Sequence, residues 1–387
     1  MWVTASPFSV NRFYRTRRPV SKPASFFIME EYNWFALKNV PRVGNVTFRR
    51  LVNHFGSPGR VLSASEAELS AVEGIHPSVI YSLLHHDYRQ FADNECSLLL
   101  RTGAGIVTFR SRDFPCLLQQ IHDPPPFLYV KGQLKSHEKT ISVVGSRRAS
   151  PYGISTTSRL ARELSDNGIA VVSGMARGVD TAAHRGALSG GGRSIGVLGC
   201  GVNVIYPAEN RSLFAEMADK GALVSEFPLG TKPLAENFPR RNRIISGIST
   251  GVLVVEAAEG SGSLITAQCA LEQGRDVYAV PGNVSSPLSR GTNLLIKQGA
   301  KLVERIEDIL EELPCRSGSA ARASLSLAPC FSPLEASVYS CLSQTPLHID
   351  EIAAKCALTA GDVSAILLRL ELNGAITQLP GKHFATP

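Results

Sequence analysis

What the chain lacks narrows its function before any motif is considered. No run among the 387 residues approaches the roughly 18 apolar residues of a membrane span, so a soluble, cytoplasmic protein without a membrane partner is expected. There are eight cysteines: Cys96, Cys116, Cys200, Cys269, Cys315, Cys330, Cys341 and Cys356. None pairs as C-x-x-C, and no His/Cys cluster has zinc-finger spacing. Several lie in apolar runs and are read as buried, reduced thiols that pack as small hydrophobes. No G-x-G-x-x-G is present and no P-loop Lys follows a glycine loop, which argues against a dinucleotide or ATP site. No cofactor and no metal are expected.

A strong charge of one sign is also missing from the folded part. The net charge is +7, but residues 1–28 contribute Arg12, Arg15, Arg17, Arg18 and Lys22 with no acid, and the rest holds 35 basic against 33 acidic residues. Any anion-binding surface must therefore be local, built from a few arginines and backbone amides. Residues 1–28 have the composition of a transit peptide, but no apolar h-region, so a secretory signal does not fit. An upstream start ahead of Met29 is the preferred reading, because Met29-Glu-Glu-Tyr-Asn-Trp34 opens directly into a helical pattern. In either case 1–28 is expected to lie outside the fold.

What is present divides into segments. At 44% hydrophobic and 19% charged, the chain can bury a sizeable core. Residues 29–104 read as a small helical domain of helix-hairpin-helix or SAM-like type, with Leu37, Val40, Val43, Val46, Leu51, Val52 and Phe55 near helical spacing. Val40-Pro-Arg-Val-Gly-Asn45 and Val72-Glu-Gly-Ile-His-Pro77 are two similar turns, each before a helical run. Such turns can present amides to phosphate. A packing role is favoured, since turn glycines are common for backbone reasons alone and His76 replaces a second glycine.

Residues 105–313 alternate apolar β-branched runs with helical segments: Ile141–Val144, Ile169–Val172, Ser194–Leu198, Leu223–Val224, Val252–Val255 and Val277–Val280. Continuous apolar strands between helices imply a Rossmann-like, doubly wound parallel α/β sheet, whose ligands bind beyond the carboxyl ends of the strands. Residues 314–332 read as a small-residue linker. Residues 333–387 read as a winged-helix domain, with a helix-turn-helix over His348–Leu370 and a wing over Ala375–Phe384.

The candidate residues follow the strands. Gly145 turns the chain after the first, Ser146 adds a hydroxyl and amides that can face an anion, and Arg147 supplies a fork suited to phosphate. The loop Ser173–Asp180 offers Gly174, Arg177 and Gly178. Asp180 there is read as a cap or arginine partner and His184 as a packed residue, since neither has a second acid or base at clear spacing. Phe238-Pro-Arg-Arg-Asn-Arg243 puts Arg240, Arg241 and Arg243 at a helix start, a placement that needs anionic partners, beside Asn242 and a phenylalanine that could stack a base. Gly262 and Ser263 sit in a Gly/Ser loop opening a further helix.

Several of these segments occur together in one family. Val144-Gly-Ser-Arg147, Ala176-Arg-Gly-Val-Asp180 with His184, Tyr206-Pro-x-x-Asn210, Ser225-Glu226, Phe238-Pro-x-Arg-Asn-Arg-Ile-Ile245, Ser261-Gly-Ser-Leu-Ile-Thr-Ala267 and Ala279-Val-Pro-Gly282 resemble the DprA/Smf DNA-processing family across about 105–313. The resemblance implies a core that binds single-stranded DNA, forms homodimers, loads a RecA-type recombinase during natural transformation, and has no established catalysis. It places DNA binding on Gly145, Ser146, Arg147, Arg177 and the Phe238–Arg243 loop. Met175 stands where relatives usually have Gly, and Ala208 and Ala235 where some have Lys.

Two other functions compete with this one. The fold also resembles nucleotide phosphoribohydrolases of the lysine decarboxylase-like type, whose P-G-G-x-G-T-x-x-E loop supplies a carboxylate. The comparable stretch here, Gly260–Thr266, ends in Thr, leaving a cradle without its acid. A sequence-specific winged-helix reader is disfavoured by Ala360–Asn373, which sets Arg369 alone against Asp362 and Glu371.

Overall fold

In the computed structural model, described for residues 24–313, 333–342, 347–356, 358–372, 376–379 and 381–385, the chain divides into two units, one ending at Leu313 and one starting at Pro314. The expected linker 314–332 and most of the N-terminal 1–28 lie outside the described residues. The first helix begins at Ala24, ahead of Met29.

The first unit is built on nine strands: β1 (Gly105–Thr108), β2 (Phe127–Gly132), β3 (Thr140–Val144), β4 (Ala170–Ser173), β5 (Ser194–Val197), β6 (Ala222–Ser225), β7 (Gly251–Val254), β8 (Asp276–Ala279) and β9 (Lys301–Leu302). Their order is β1-β2-β6-β5-β4-β3-β7-β8-β9. β3 to β9 run parallel, while β1 and β2 add an antiparallel edge beyond β6. The parallel strands are apolar throughout because helices cover both faces. Ile141, Val143, Val171 and Leu253 face one layer with Leu160, Leu164, Ala183 and Ala187. Val144, Val172, Val252 and Val254 face the other with Ile244, Ile245 and Ala267. Buried serines within the strands are satisfied: Ser142 Oγ donates to Ile245 O at 2.9 Å and Ser173 Oγ to Val143 O at 2.6 Å.

The N-terminal helices share this second core. Trp34 and Phe35 are buried against the aromatic β2, with Phe35 stacked on Tyr129 at 5.7 Å between centroids. Glu95, buried on the helix Arg89–Thr102, accepts from Tyr129 Oη at 2.6 Å and from the Leu229 amide at 3.2 Å. Burial raises the Glu95 carboxyl above its usual range. The second unit is a winged helix: helices Pro333–Ser340, Ile349–Cys356 and Ala360–Leu372 pack with strands β10 (Leu347–His348), β11 (Thr377–Leu379) and β12 (His383–Ala385) around Val338, Ile352, Leu367 and Phe384. Of the cysteines, Cys96 and Cys200 are buried as expected, whereas Cys116, Cys269, Cys341 and Cys356 are only partly buried; Cys315 and Cys330 lie outside the described residues.

Candidate nucleic-acid interface

The chain leaves β3 toward β4 on one side, and β7 enters on the other. The loops after β3 and β7 therefore part at a topological switch point, where an open α/β sheet leaves a crevice. A cleft of about 750 Å³ lies there, lined by Gly145, Ser146, Arg147, Phe238, Asn242 and Gly262 among others. A smaller pocket of about 220 Å³ adjoins it past Tyr206, lined by Gly174, Met175, Arg177 and Gly199 and sharing Arg147, Arg148 and Phe238.

Arg147 is exposed and forms no ion pair among the described residues. Its guanidinium lies 5.0 Å from the centroid of the half-buried Phe238 ring, and Tyr206, two-fifths exposed, stands 5.9 Å from that ring. The two acids that could have held Arg147 are occupied elsewhere. Glu256 caps the helix Pro151–Asp166, accepting from Ser150 N at 2.8 Å and Ser150 Oγ at 2.5 Å. Asp180 is buried and accepts from the Ala176 amide at 3.3 Å. Burial pushes its carboxyl up, opposed chiefly by the charge of Arg241.

Arg241 is the buried counterpart. It lies under the cleft, 4% exposed, and donates through Nη1 to Gly174 O at 2.7 Å and to Val197 O. Burial lowers its guanidinium to about 10, so it stays charged at neutral pH. It therefore braces the C-terminal ends of β4 and β5 from below.

The sequence-derived residues separate into groups. Arg147, Phe238, Asn242, Gly262 and Ser263 line the larger cleft; Asn242 Nδ2 also donates to Gly262 O at 3.2 Å and so ties the two loops together. Gly145 and Ser146 line it too, but their chemistry differs from expectation. The Ser146 amide turns inward to Glu256 O at 2.7 Å, and Ser146 Oγ accepts from Arg148 N at 3.1 Å. A β-carbon on Gly145 would stand 2.7 Å from Val179 Cγ2, so this glycine serves close packing. Gly174 and Gly178 are likewise structural: a β-carbon would strike the Arg241 guanidinium at the first and Ser146 O at the second, where φ is 72°. Arg177 is on the rim, exposed and paired with Glu209. Arg240 lies over the Phe227 ring at 5.5 Å and lines neither cavity. Arg243 is turned away altogether: Nη2 meets Glu226 at 2.6 Å and Nε meets Asp123 at 3.3 Å.

The expectation for His184 holds. It is buried, with Nδ1 2.7 Å from Ser194 Oγ, and burial drives its imidazole down to about 3. Tyr206, marked in the sequence only as part of a family segment, and Arg148 also line the cleft without having been candidate binding residues. The signal for Tyr206 was an aromatic in a post-strand loop; its partner in that segment, Asn210, donates to Met175 O at 3.1 Å and Thr181 Oγ1 at 2.8 Å, fixing the loop in place.

Comparison with known proteins follows the same outline. The profile of the family described as DNA recombination-mediator protein A matches residues 105–314, and that of the DprA winged helix domain matches 319–382. The chain belongs to the DprA/Smf family. Protein Smf of Escherichia coli (strain K12) is 45% identical over 289 residues, 72% of this chain and 76% of that one. DNA processing protein DprA of Bacillus subtilis (strain 168) is 46% identical over 217 residues, 56% of this chain and 73% of that one. The crystal structure of DNA processing protein A from Streptococcus pneumoniae superposes with a TM-score of 0.63 at 34% identity, covering 73% of this chain and 97% of that chain. Within this DprA/Smf framework, Met175 adopts φ 58°, a left-handed conformation that favours glycine, with its side chain buried.

Proposed function

We propose that this DprA/Smf family member binds single-stranded DNA along the cleft between the β3 and β7 loops, and passes it to a RecA-type recombinase. The observation that carries the binding reading is the state of Arg147: exposed, without an ion pair among the described residues, and held over Phe238 at the switch point. A cation preset beside two accessible rings suits a strand whose phosphate meets the guanidinium and whose bases stack, since every base has a π-face. Such binding is largely indifferent to sequence. Handover to a recombinase and assembly as a cytoplasmic homodimer belong to the same proposal and rest on the family alone.

A binding role is supported over a catalytic one by where the carboxylates go. Glu256 is committed to Ser150, Asp180 is buried beside Arg241, and Glu259 alone stands exposed on the cleft. A cradle with one isolated acid lacks the acid–base pair that glycosidic hydrolysis needs. In the winged helix, Arg369 faces Glu335 at 3.7 Å, which supports a protein-docking module in place of a groove reader. The test is binding of single- and double-stranded oligonucleotides of one sequence across a salt series. Tighter, salt-dependent binding of the single strand is expected; equal or tighter binding of the duplex would overturn the reading.

A further inference from the structure

The cleft does not end at the smaller pocket. Arg177 forms the far rim of that pocket and is also a wall of a third depression of about 420 Å³, whose lining includes Ile154, Ser158, Thr181, Arg185 and Glu209. Its floor is the seam between the helices Pro151–Asp166 and Val179–Ser189. Gly186 lets that seam close tightly, since a β-carbon there would lie 2.5 Å from Ser158 O. The three depressions form a row: Arg147, Arg148 and Tyr206 are common to the first two, and Arg177 to the last two.

The charges along this row are the second observation. Arg147 and Arg148 are exposed with no ion pair among the described residues, and so is Arg185, which projects from the helix Val179–Ser189 into the third depression. Arg177, between them, is held by Glu209 through two contacts, Nε to Oε1 and Nη2 to Oε2 at 3.0 Å. Both side chains are more than half exposed. An arginine fork gripped in two places by a carboxylate has the geometry in which it grips a phosphate, so Glu209 occupies the position a phosphodiester would take. Ile154, 37% exposed, adds an apolar contact in the same groove.

Resting on the reading of the cleft as a single-strand site, we propose that the groove of Arg177 and Arg185 is a second phosphate subsite for the same strand, and that Glu209 is an internal competitor which the strand displaces. A strand that fills only the cleft leaves the Arg177–Glu209 pair closed. A longer one continues past Tyr206, opens the pair and reaches Arg185. The protein thereby favours long single strands over short fragments, without reading their sequence.

The test uses the full chain and fluorescently labelled oligothymidylates of about 4 and about 20 nucleotides, spanning the usual range of single-strand site sizes. Arg185→Ala is expected to weaken the long strand about fivefold and to flatten its salt dependence by just under one unit of slope, leaving the short strand unchanged. Glu209→Gln is expected to tighten the long strand and not the short one. Melting curves confirm that both variants fold, and Arg185→Glu serves as a stronger form of the first. Equal effects on both lengths, or no effect of either variant on the long strand, would overturn the inference; if Arg147→Ala still weakens both lengths, the cleft reading survives. Failure of the unaltered protein to bind either length would overturn both.

Discussion

Two arginine-bearing regions meet at the cleft and do opposite things. In the loop after β3, Arg147 has no acid within ion-pair distance among the described residues and lies over an aromatic ring, open to solvent. In the helix Asn237–Ile248, Arg241 is buried against backbone carbonyls and Arg243 is clasped by Asp123 and Glu226. Both regions are basic segments following or flanking a sheet edge. The difference lies in what each guanidinium faces. An arginine largely buried with its partners, as Arg241 and Arg243 are, already has its anion or its acceptors, and lends the site rigidity. An unpartnered one above a ring keeps its fork for a ligand. Counting arginines in a loop thus overstates the binding surface, and tracing their partners corrects the count.

The comparison can be sharpened from its buried side first, where the effects are largest. Arg241→Ala removes the charge that offsets buried Asp180 and orphans two carbonyls, and is expected to destabilise the unit by about 3–5 kcal/mol, read as a lowered midpoint in chemical denaturation. Survival of full stability would mean that Arg241 is not a brace. Acidification probes the same buried zone. His184, near Arg241, titrates at about 3 in the folded protein and near 6.5 when unfolded. Its folded value is depressed, so its contribution is complete above about 6.5 and is lost as pH falls toward 3, on the order of 5 kcal/mol in total. Denaturation midpoints should decline across that window, and His184→Gln should flatten the decline. A midpoint independent of pH over that range would refute the assignment.

Smaller effects are expected where partners are nearer the surface. Arg243→Ala should lower stability by about 1–3 kcal/mol, because Glu226 loses a close charged partner, with binding to single strands retained in the protein that remains folded. A loss of affinity exceeding the loss of stability would place Arg243 in the interface after all. Removing 333–387 should change single-strand affinity by less than about 1.4 kcal/mol, tenfold in binding, because the helix Ala360–Leu372 carries one cation and that cation faces Glu335. A larger loss would move the winged helix into the binding surface.

Six of the seven parallel strands were legible because burial on both faces writes an unbroken apolar run. β1 and β9 were not, being four half-buried residues and two residues long. β2 escaped notice because its run, Phe127–Gly132, pairs antiparallel at the sheet's far side, outside the alternating pattern. At the site, Arg147 could be placed from its position directly after a strand. Gly174 was visible as a glycine, but its reason is Arg241, 67 residues later. Arg243 was misplaced because Asp123 is supplied by a loop ahead of β2, far from it in the chain. Local patterns carry backbone direction; they do not carry which side chains long-range packing brings together.

The central claim, that Arg147 is free for a ligand while Arg241 and Arg243 are not, is tested most directly by Arg147→Ala, measured by thermal melting and by a salt titration of single-strand binding on the same sample. The expected result is an unchanged melting temperature, affinity weakened by roughly 1–3 kcal/mol as for a charged hydrogen bond, a salt slope shallower by just under one unit, and only partial rescue by Arg147→Lys, whose ammonium cannot form the fork. A lowered melting temperature with affinity and salt slope unchanged would contradict it, and would make Arg147 one more structural arginine.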